Sequence, residues 1–136
     1  MKIFLDSSVL LSACGSSRSL CRLVVEIAPE RGWSLVSAVY CRAETSRNIQ
    51  KVGAQAASVW PELQQKIDWV ANALVSNRPL LLAASKDKPV LVSALAASRD
   101  VLLTLDRGDF GIVLGTTVYG MMVSTPREFL VAEGLG

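Results

Sequence analysis

Short apolar runs alternate along the chain with segments whose apolar residues recur at helical spacing. The apolar runs predict β-strands over residues 2–5, 33–36, 80–84, 101–105 and 120–124. Helical spacing predicts helices over residues 19–30, 37–51, 56–76 and 87–98. Because strands alternate with helices, we expect an α/β fold of three layers, α/β/α, around a parallel sheet of about five strands.

Three local signals mark where the helices begin and which faces they bury. Ser37 is the predicted N-cap of the helix over 37–51. In the helix over 56–76, one apolar stripe is predicted to include Trp60, Ile67 and Leu74. The run Thr125-Pro126-Arg127-Glu128 has the form of a capping box with Pro at the first helical position, so it predicts a short final helix.

Composition narrows the classes of function. The chain has 136 residues, 51% of them hydrophobic and 19% charged, which predicts one folded domain over 1–136. It contains no His, which excludes His-based nucleophile systems and His-ligated zinc or haem. The net charge of +2 identifies no partner.

The cysteines and the apolar runs indicate the compartment. The three cysteines have no C-x-x-C spacing, so we expect reduced, buried thiols. No apolar segment reaches the roughly 18 residues of a membrane span, and Asp6 interrupts the first apolar run. These features predict a cytoplasmic protein without a signal peptide.

Acidic residues follow the predicted strands. Asp6 comes directly after the first strand, Asp87 after the third, and Asp106 and Asp109 after the fourth. Since parallel strands end at one edge of a sheet, these four side chains should meet there, and Glu44 should reach the same edge from its helix. Taken singly, each has an ordinary alternative role in a turn, a helix cap or a solvated helix face.

As a group, the acidic residues predict a cation site. Neighbouring carboxylates repel each other and raise one another's pKa unless a cation compensates their charge. Oxygen ligands without His favour Mg²⁺ or Mn²⁺ over zinc. Two such ions can activate a water and stabilise the leaving oxygen of a phosphodiester, which requires no nucleophilic side chain.

The motifs around these residues resemble those of a known family. They are Phe4-Leu5-Asp6-Ser7-Ser8-Val9-Leu10, Glu44-x-x-Arg47-Asn48-Ile49, Lys86-Asp87-x-Pro89-Val90-Leu91, Leu103-Thr104-Leu105-Asp106-x-x-Asp109-Phe110 and Ser124-Thr125-Pro126-x-Glu128-Phe129-Leu130. In this order, they resemble PIN-domain proteins of the kind found as VapC-type toxins in prokaryotic toxin–antitoxin pairs. The resemblance covers nearly the whole chain.

The resemblance implies a Mg²⁺- or Mn²⁺-dependent endoribonuclease. By motif position, the metal ligands would be Asp6, Glu44, Asp87 and Asp106, and Asp109 would be a supporting acid. It also implies a homodimer and a cognate antitoxin that inserts a segment near the acids, where an Arg or Lys could pair with them.

Small polar and basic residues near the motifs are further candidates. Ser8 and Thr104 match small polar positions beside the site, where they would orient ligands or water, or else make local backbone hydrogen bonds. Between residues 18 and 51 there are six basic and three acidic residues. The candidates for RNA backbone contacts are Arg42, Arg47, Lys51 and Arg107, with a solvated helix face as the alternative.

Other functions remain as alternatives. A catalytically silent PIN-fold protein that binds nucleic acid or a protein partner is the principal one, and cleavage of DNA is a minor one. A haloacid-dehalogenase-like phosphatase would require Asp-x-Asp, where this chain has Asp6-Ser7-Ser8. The P-loop motif is absent from the sequence.

Overall fold

The computed structural model describes residues 1–71, 100–111, 114–118 and 120–135. Within these ranges, six strands form one sheet. They are β1 (Lys2–Leu5), β2 (Ser34–Ala38), β3 (Asp68–Val70), β4 (Val101–Leu103), β5 (Thr117–Val118) and β6 (Met121–Ser124).

The sheet has the order β3-β2-β1-β4-β6-β5. Strands β3, β2, β1, β4 and β6 are parallel to their neighbours, and the short β5 pairs antiparallel with β6. Strand β1 is central: Ile3 pairs with Leu35 on one side and with Val101 on the other. This architecture confirms the expected α/β/α fold with five parallel strands.

The described helices are α1 (Ser7–Gly15), α2 (Leu20–Arg31), α3 (Val39–Val52), α4 (Ala54–Gln64), α5 (Arg107–Phe110) and α6 (Pro126–Ala132). Helix α2 ends at Gly32, whose left-handed φ of 70° suits glycine. The capping box predicted for α6 is confirmed, since the Thr125 side chain accepts a hydrogen bond from the Glu128 backbone N–H and Pro126 opens the helix.

The core lies where the central strands meet the helices. Phe4 of β1 and Leu102 of β4 are fully buried, as strands covered on both faces require. Helix α1 packs against α2, α3 and α4. It therefore anchors the chain that leaves the central strand, and this is where Asp6 lies.

The helix predicted over 56–76 is wrong from residue 65 to residue 71, and its last part, 72–76, lies outside the described residues. Helix α4 ends at Gln64, and residues 68–70 form the edge strand β3 beside β2. Turn hydrogen bonds from Lys66 N to the Leu63 carbonyl and from Ile67 N to the Gln64 carbonyl end the helix. Ile67 is buried after this turn, so its apolar spacing reflects burial in a different element.

One further local prediction differs from the structure, and one helix was missed. Ser37 does not cap α3; the N-cap is Ala38, and Ser37 lies in β2 with its hydroxyl donating to the Leu5 carbonyl at 2.6 Å. Helix α1 was not predicted. The predicted strand over 80–84 and helix over 87–98 lie outside the described residues.

In the described part of the chain, the helices are too short or too polar to span a lipid bilayer. Cys14, Cys21 and Cys41 are buried free thiols, as expected from the sequence.

Candidate metal and nucleic-acid site

Asp6 occupies the single position between β1 and α1. Its extended backbone, with φ −69° and ψ 157°, makes it the N-cap of α1. One carboxylate oxygen, Oδ1, accepts the Ser7 backbone N–H at 2.8 Å. The Asp6 backbone N–H continues the sheet ladder to the Leu103 carbonyl at 3.0 Å. The carboxylate is therefore fixed by both the sheet and the helix.

The other Asp6 oxygen, Oδ2, accepts two hydroxyls. Ser8 Oγ and Thr104 Oγ1 each donate to it at 2.8 Å. Each hydroxyl also accepts a backbone N–H from the chain after β4: Ser8 from Leu105 at 3.0 Å, and Thr104 from Asp106 at 3.1 Å. The two hydroxyls thus connect Asp6 to the backbone that carries Asp106.

Burial works against the charge of Asp6. The residue is only 4% exposed, and removal from water raises the pKa of its carboxyl. The hydrogen bonds from Thr104, Ser8 and Ser7 lower this pKa, and the neighbouring Glu44 raises it. A positive charge beside Asp6 would favour its ionised form.

Glu44 reaches the same place from α3. The Ser7 hydroxyl donates to Glu44 Oε1, and the Tyr40 hydroxyl lies 3.4 Å from Glu44 Oε2. The pKa of Tyr40 is raised, first by burial and then by the charge of Glu44. Tyr40, Glu44 and Asn48 are spaced by four residues, so they share one face of the helix.

A cleft of about 230 Å³ joins these groups at the carboxyl edge of the sheet. It is lined by Asp6, Ser7, Ser8, Leu11, Tyr40, Glu44, Asn48 and Asp106. Three of the five acidic residues selected from the sequence therefore share one cleft. Asp87 lies outside the described residues, as does the side chain of Asp109, whose backbone belongs to α5.

The chemistry of the cleft fits a hard divalent cation. Its acidic donors are the carboxylate oxygens of Asp6, Glu44 and Asp106, and water completes the coordination of Mg²⁺ at sites with few protein ligands. Within the ranges that the structure describes, no group of three Cys, Asp or Glu side chains could hold a metal ion by itself. The carboxylates of this cleft would therefore need water, or donors beyond the described ranges, to complete the coordination of an ion.

The four basic candidates divide between two environments. Arg42 is turned away from Glu44, since two residues correspond to about 200° around a helix. Its guanidinium lies 5.4 Å from the centre of the Trp69 ring, a cation–π contact. Arg47 is exposed on α3 and lowers the pKa of Tyr40, which places its charge near the cleft.

Lys51 and Arg107 are exposed as well. Lys51 follows Glu44 by two turns, so it lies on the same side of α3. Arg107 is the first residue of α5, next to Asp106. Arg47 and Lys51 therefore lie on the Glu44 side of α3 and Arg107 follows Asp106 in the chain, whereas Arg42 stacks on Trp69 of β3.

Sequence reasoning missed four residues of the cleft: Ser7, Leu11, Tyr40 and Asn48. The four-residue spacing of Tyr40 and Asn48 around Glu44 was the available signal. Ser7 lies in the first motif, directly after Asp6, but was not selected from it, and Leu11 had no signal because helix α1 was not predicted. Asp100, which the sequence places at the opposite end of the sheet, accepts the Lys2 backbone N–H at 2.8 Å there.

Comparison of the chain with protein-family models gives no match, and comparison with curated proteins gives no match either.

Proposed function

We propose that this protein is a Mg²⁺- or Mn²⁺-dependent endoribonuclease of the PIN type, acting as the toxin of a toxin–antitoxin pair. The observation that carries the proposal is the buried carboxylate of Asp6, which shares a cleft with Glu44 and Asp106. A buried carboxylate whose burial raises its pKa, in a cleft with two further acids, is typical of a functional site.

The chain's own residues would prepare the reaction as follows. Asp6, Glu44 and Asp106 would hold the ion, and Asp87 and Asp109 would add to the set. When bound, the ion supplies an activated water and neutralises charge on the phosphodiester. Ser8 and Thr104 keep Asp6 oriented through their 2.8 Å hydrogen bonds.

The basic residues support a nucleic acid as the substrate, and the choice of RNA rests on the resemblance. A cleft lined by carboxylates repels phosphate, so a nuclease requires positive charge at the border of its site. Arg47, Lys51 and Arg107 are exposed and lie near the acids in the chain or on the same helix. We assign them to the RNA backbone, and we exclude Arg42 from this role because it stacks on Trp69.

A second function remains as the alternative. A PIN-fold protein that binds nucleic acid or a protein partner without cleavage would use the exposed basic residues and require no bound ion.

The expected partners follow from the toxin proposal. We propose a homodimer in the cytoplasm, where three buried free thiols are compatible with a reducing compartment. A cognate antitoxin would restrain the nuclease by placing an Arg or Lys against the carboxylates of the cleft.

The test is cleavage of a mixed set of labelled RNAs by purified protein in Mg²⁺, Mn²⁺ or EDTA. Asp6→Asn should reduce metal-dependent cleavage by about 100-fold or more, because Asp6 is a proposed ligand and loss of a group that only orients a ligand already costs about 10- to 100-fold. Asp100→Asn is the matched control, because Asp100 lies at the opposite end of the sheet.

Cleavage by the wild type and by Asp100→Asn, but not by Asp6→Asn, is the expected result. If all three proteins cut equally in EDTA, the nuclease is a contaminant. If RNA binds and no protein cuts it under any metal condition, the non-cleaving alternative replaces the proposal.

A further inference from the structure

The two oxygens of the Glu44 carboxylate meet hydroxyls from two different helices. Ser7, the first residue of α1, donates its hydroxyl to Oε1. Tyr40, one turn before Glu44 on α3, places its hydroxyl 3.4 Å from Oε2. The carboxylate is thus held from both sides at the point where α1 and α3 pack together.

Ser7 also binds the second carboxylate. Its backbone N–H donates to Asp6 Oδ1 at 2.8 Å, while its side-chain hydroxyl serves Glu44. Two donors of one residue therefore serve two neighbouring anions. Hydrogen bonds donated to ionised groups favour the charged form, so Ser7 offsets part of the repulsion between Asp6 and Glu44.

Tyr40 adds a donor that the sequence motifs do not include. Its ring lines the cleft, and its hydroxyl approaches the Glu44 oxygen that Ser7 does not contact. A glutamate side chain has three rotatable torsions, and contacts at both oxygens reduce the orientations that its carboxylate can adopt. A ligand whose orientation is fixed in advance binds a metal more tightly.

We infer that Ser7 and Tyr40 are positioning residues that hold the Glu44 carboxylate in the orientation in which it meets a divalent cation. This inference rests on the proposed function, because it assigns the two residues a role toward the ion of that site. Ser8 and Thr104 orient the Asp6 carboxylate of the same cleft, and Ser7 and Tyr40 would do the same for Glu44.

The test measures binding of Mn²⁺ alone, without RNA, from the electron paramagnetic resonance signal of the free ion. The proteins are the wild type, Ser7→Ala and Tyr40→Phe, which keeps the ring and removes only the hydroxyl. We expect a dissociation constant about 10-fold higher in Tyr40→Phe and about 10- to 100-fold higher in Ser7→Ala. Ser58→Ala is the control, since the exposed Ser58 hydroxyl bonds to Gln55 on α4.

The readouts separate positioning from general stability. A purely structural role would lower the melting temperature of a variant without changing its Mn²⁺ dissociation constant. If the wild type binds Mn²⁺ and both variants bind it equally well, the inference is wrong and the proposed function stands. If the wild type neither binds Mn²⁺ nor cleaves RNA, the proposed function fails and the inference fails with it.

Ser7 is buried, so its replacement has a larger structural effect than that of Tyr40. If Ser7→Ala does not fold, Tyr40→Phe decides the question. An unchanged Mn²⁺ affinity in Tyr40→Phe would then overturn the inference, and a weakened one would support it.

Discussion

Replacing Thr104 with valine removes one hydroxyl from the centre of the candidate site. The Thr104 hydroxyl donates to Asp6 Oδ2 at 2.8 Å and accepts the Asp106 backbone N–H at 3.1 Å. The side chain is fully buried, so water cannot take over either role. Valine keeps the branched shape, which limits the perturbation to the two hydrogen bonds.

The size of the effect follows from these two bonds. A hydrogen bond to a charged group contributes about 1.5–3 kcal/mol to stability, and a neutral one about 0.5–1.5 kcal/mol. Because Ser8 still donates to the same Asp6 oxygen, we take the lower part of the range. Where Asp6 is ionised, Thr104→Val should lower the free energy of unfolding by about 2 kcal/mol, or about 6–10 °C in melting temperature.

The loss should depend on pH, because the bond from Thr104 lowers the pKa of Asp6. Burial raises that pKa above its ordinary value, so the carboxyl favours folding when protonated, and this contribution is lost as pH rises through the folded-state pKa. Below the folded-state pKa, Asp6 is protonated in the native protein, and the variant loses only neutral hydrogen bonds, about 1 kcal/mol. The destabilisation should therefore grow as pH rises through that pKa, and it is compared at about pH 3.5 and about pH 7.5.

The assay is urea unfolding followed by tryptophan fluorescence at both pH values. Thr104→Ser is the matched control, because it keeps the hydroxyl and should restore the pH dependence of the wild type. Equal stability of the valine and serine variants, or a destabilisation that is the same at both pH values, would refute the role assigned to the hydroxyl.

Three further predictions concern the thiols and the basic residues. Burial raises the pKa of Cys14 to about 11 and that of Cys41 to about 12. Both thiols should therefore resist alkylation at pH 8 in the native protein and react after unfolding. Rapid labelling of the native protein would contradict this. Since the folded-state pKa values are raised, these thiols should also reduce stability as pH rises above about 9, measured by urea unfolding. Arg47→Ala should weaken RNA binding and reduce the slope of log binding constant against log salt concentration by about 1. Arg42→Ala should leave this slope unchanged and lower the free energy of unfolding by about 0.5–1 kcal/mol, because it removes the contact with Trp69. Equal slopes in the two variants would reject this assignment.

The strands that carry the site could be predicted because the apolar runs and the polar residues that follow them indicate the same boundaries. Strands β1 and β4 are short apolar runs that end in polar residues, as strands buried on both faces require. The acids after them follow from the rule that parallel strands end at one edge. The final helix was predictable because its capping box is local chemistry.

The errors have a physical cause in tertiary packing. Helix α1 has only nine residues, and the partly exposed Leu11 widens the apolar face formed by Val9, Leu10, Ala13 and Cys14, so the spacing does not single out a helix. Ile67 and Val70 have the sequence spacing of a helical stripe, although Ile67 lies in a turn and Val70 in strand β3. The contact of Ser7 with Glu44 depends on how α1 packs on α3, and no local pattern encodes that.

The direct passage from β1 to α1 has a consequence for how this molecule could change. Only Asp6 separates the central strand from the helix, so insertion or deletion of a residue at this point would rotate α1 by about 100° against the sheet. The connection between β1 and α1 therefore cannot be lengthened without displacing the helix from the site. Variation should instead act through exchange of hydroxyl-bearing side chains at 7, 8 and 104, which alters the surroundings of the acid and leaves its place in the backbone unchanged.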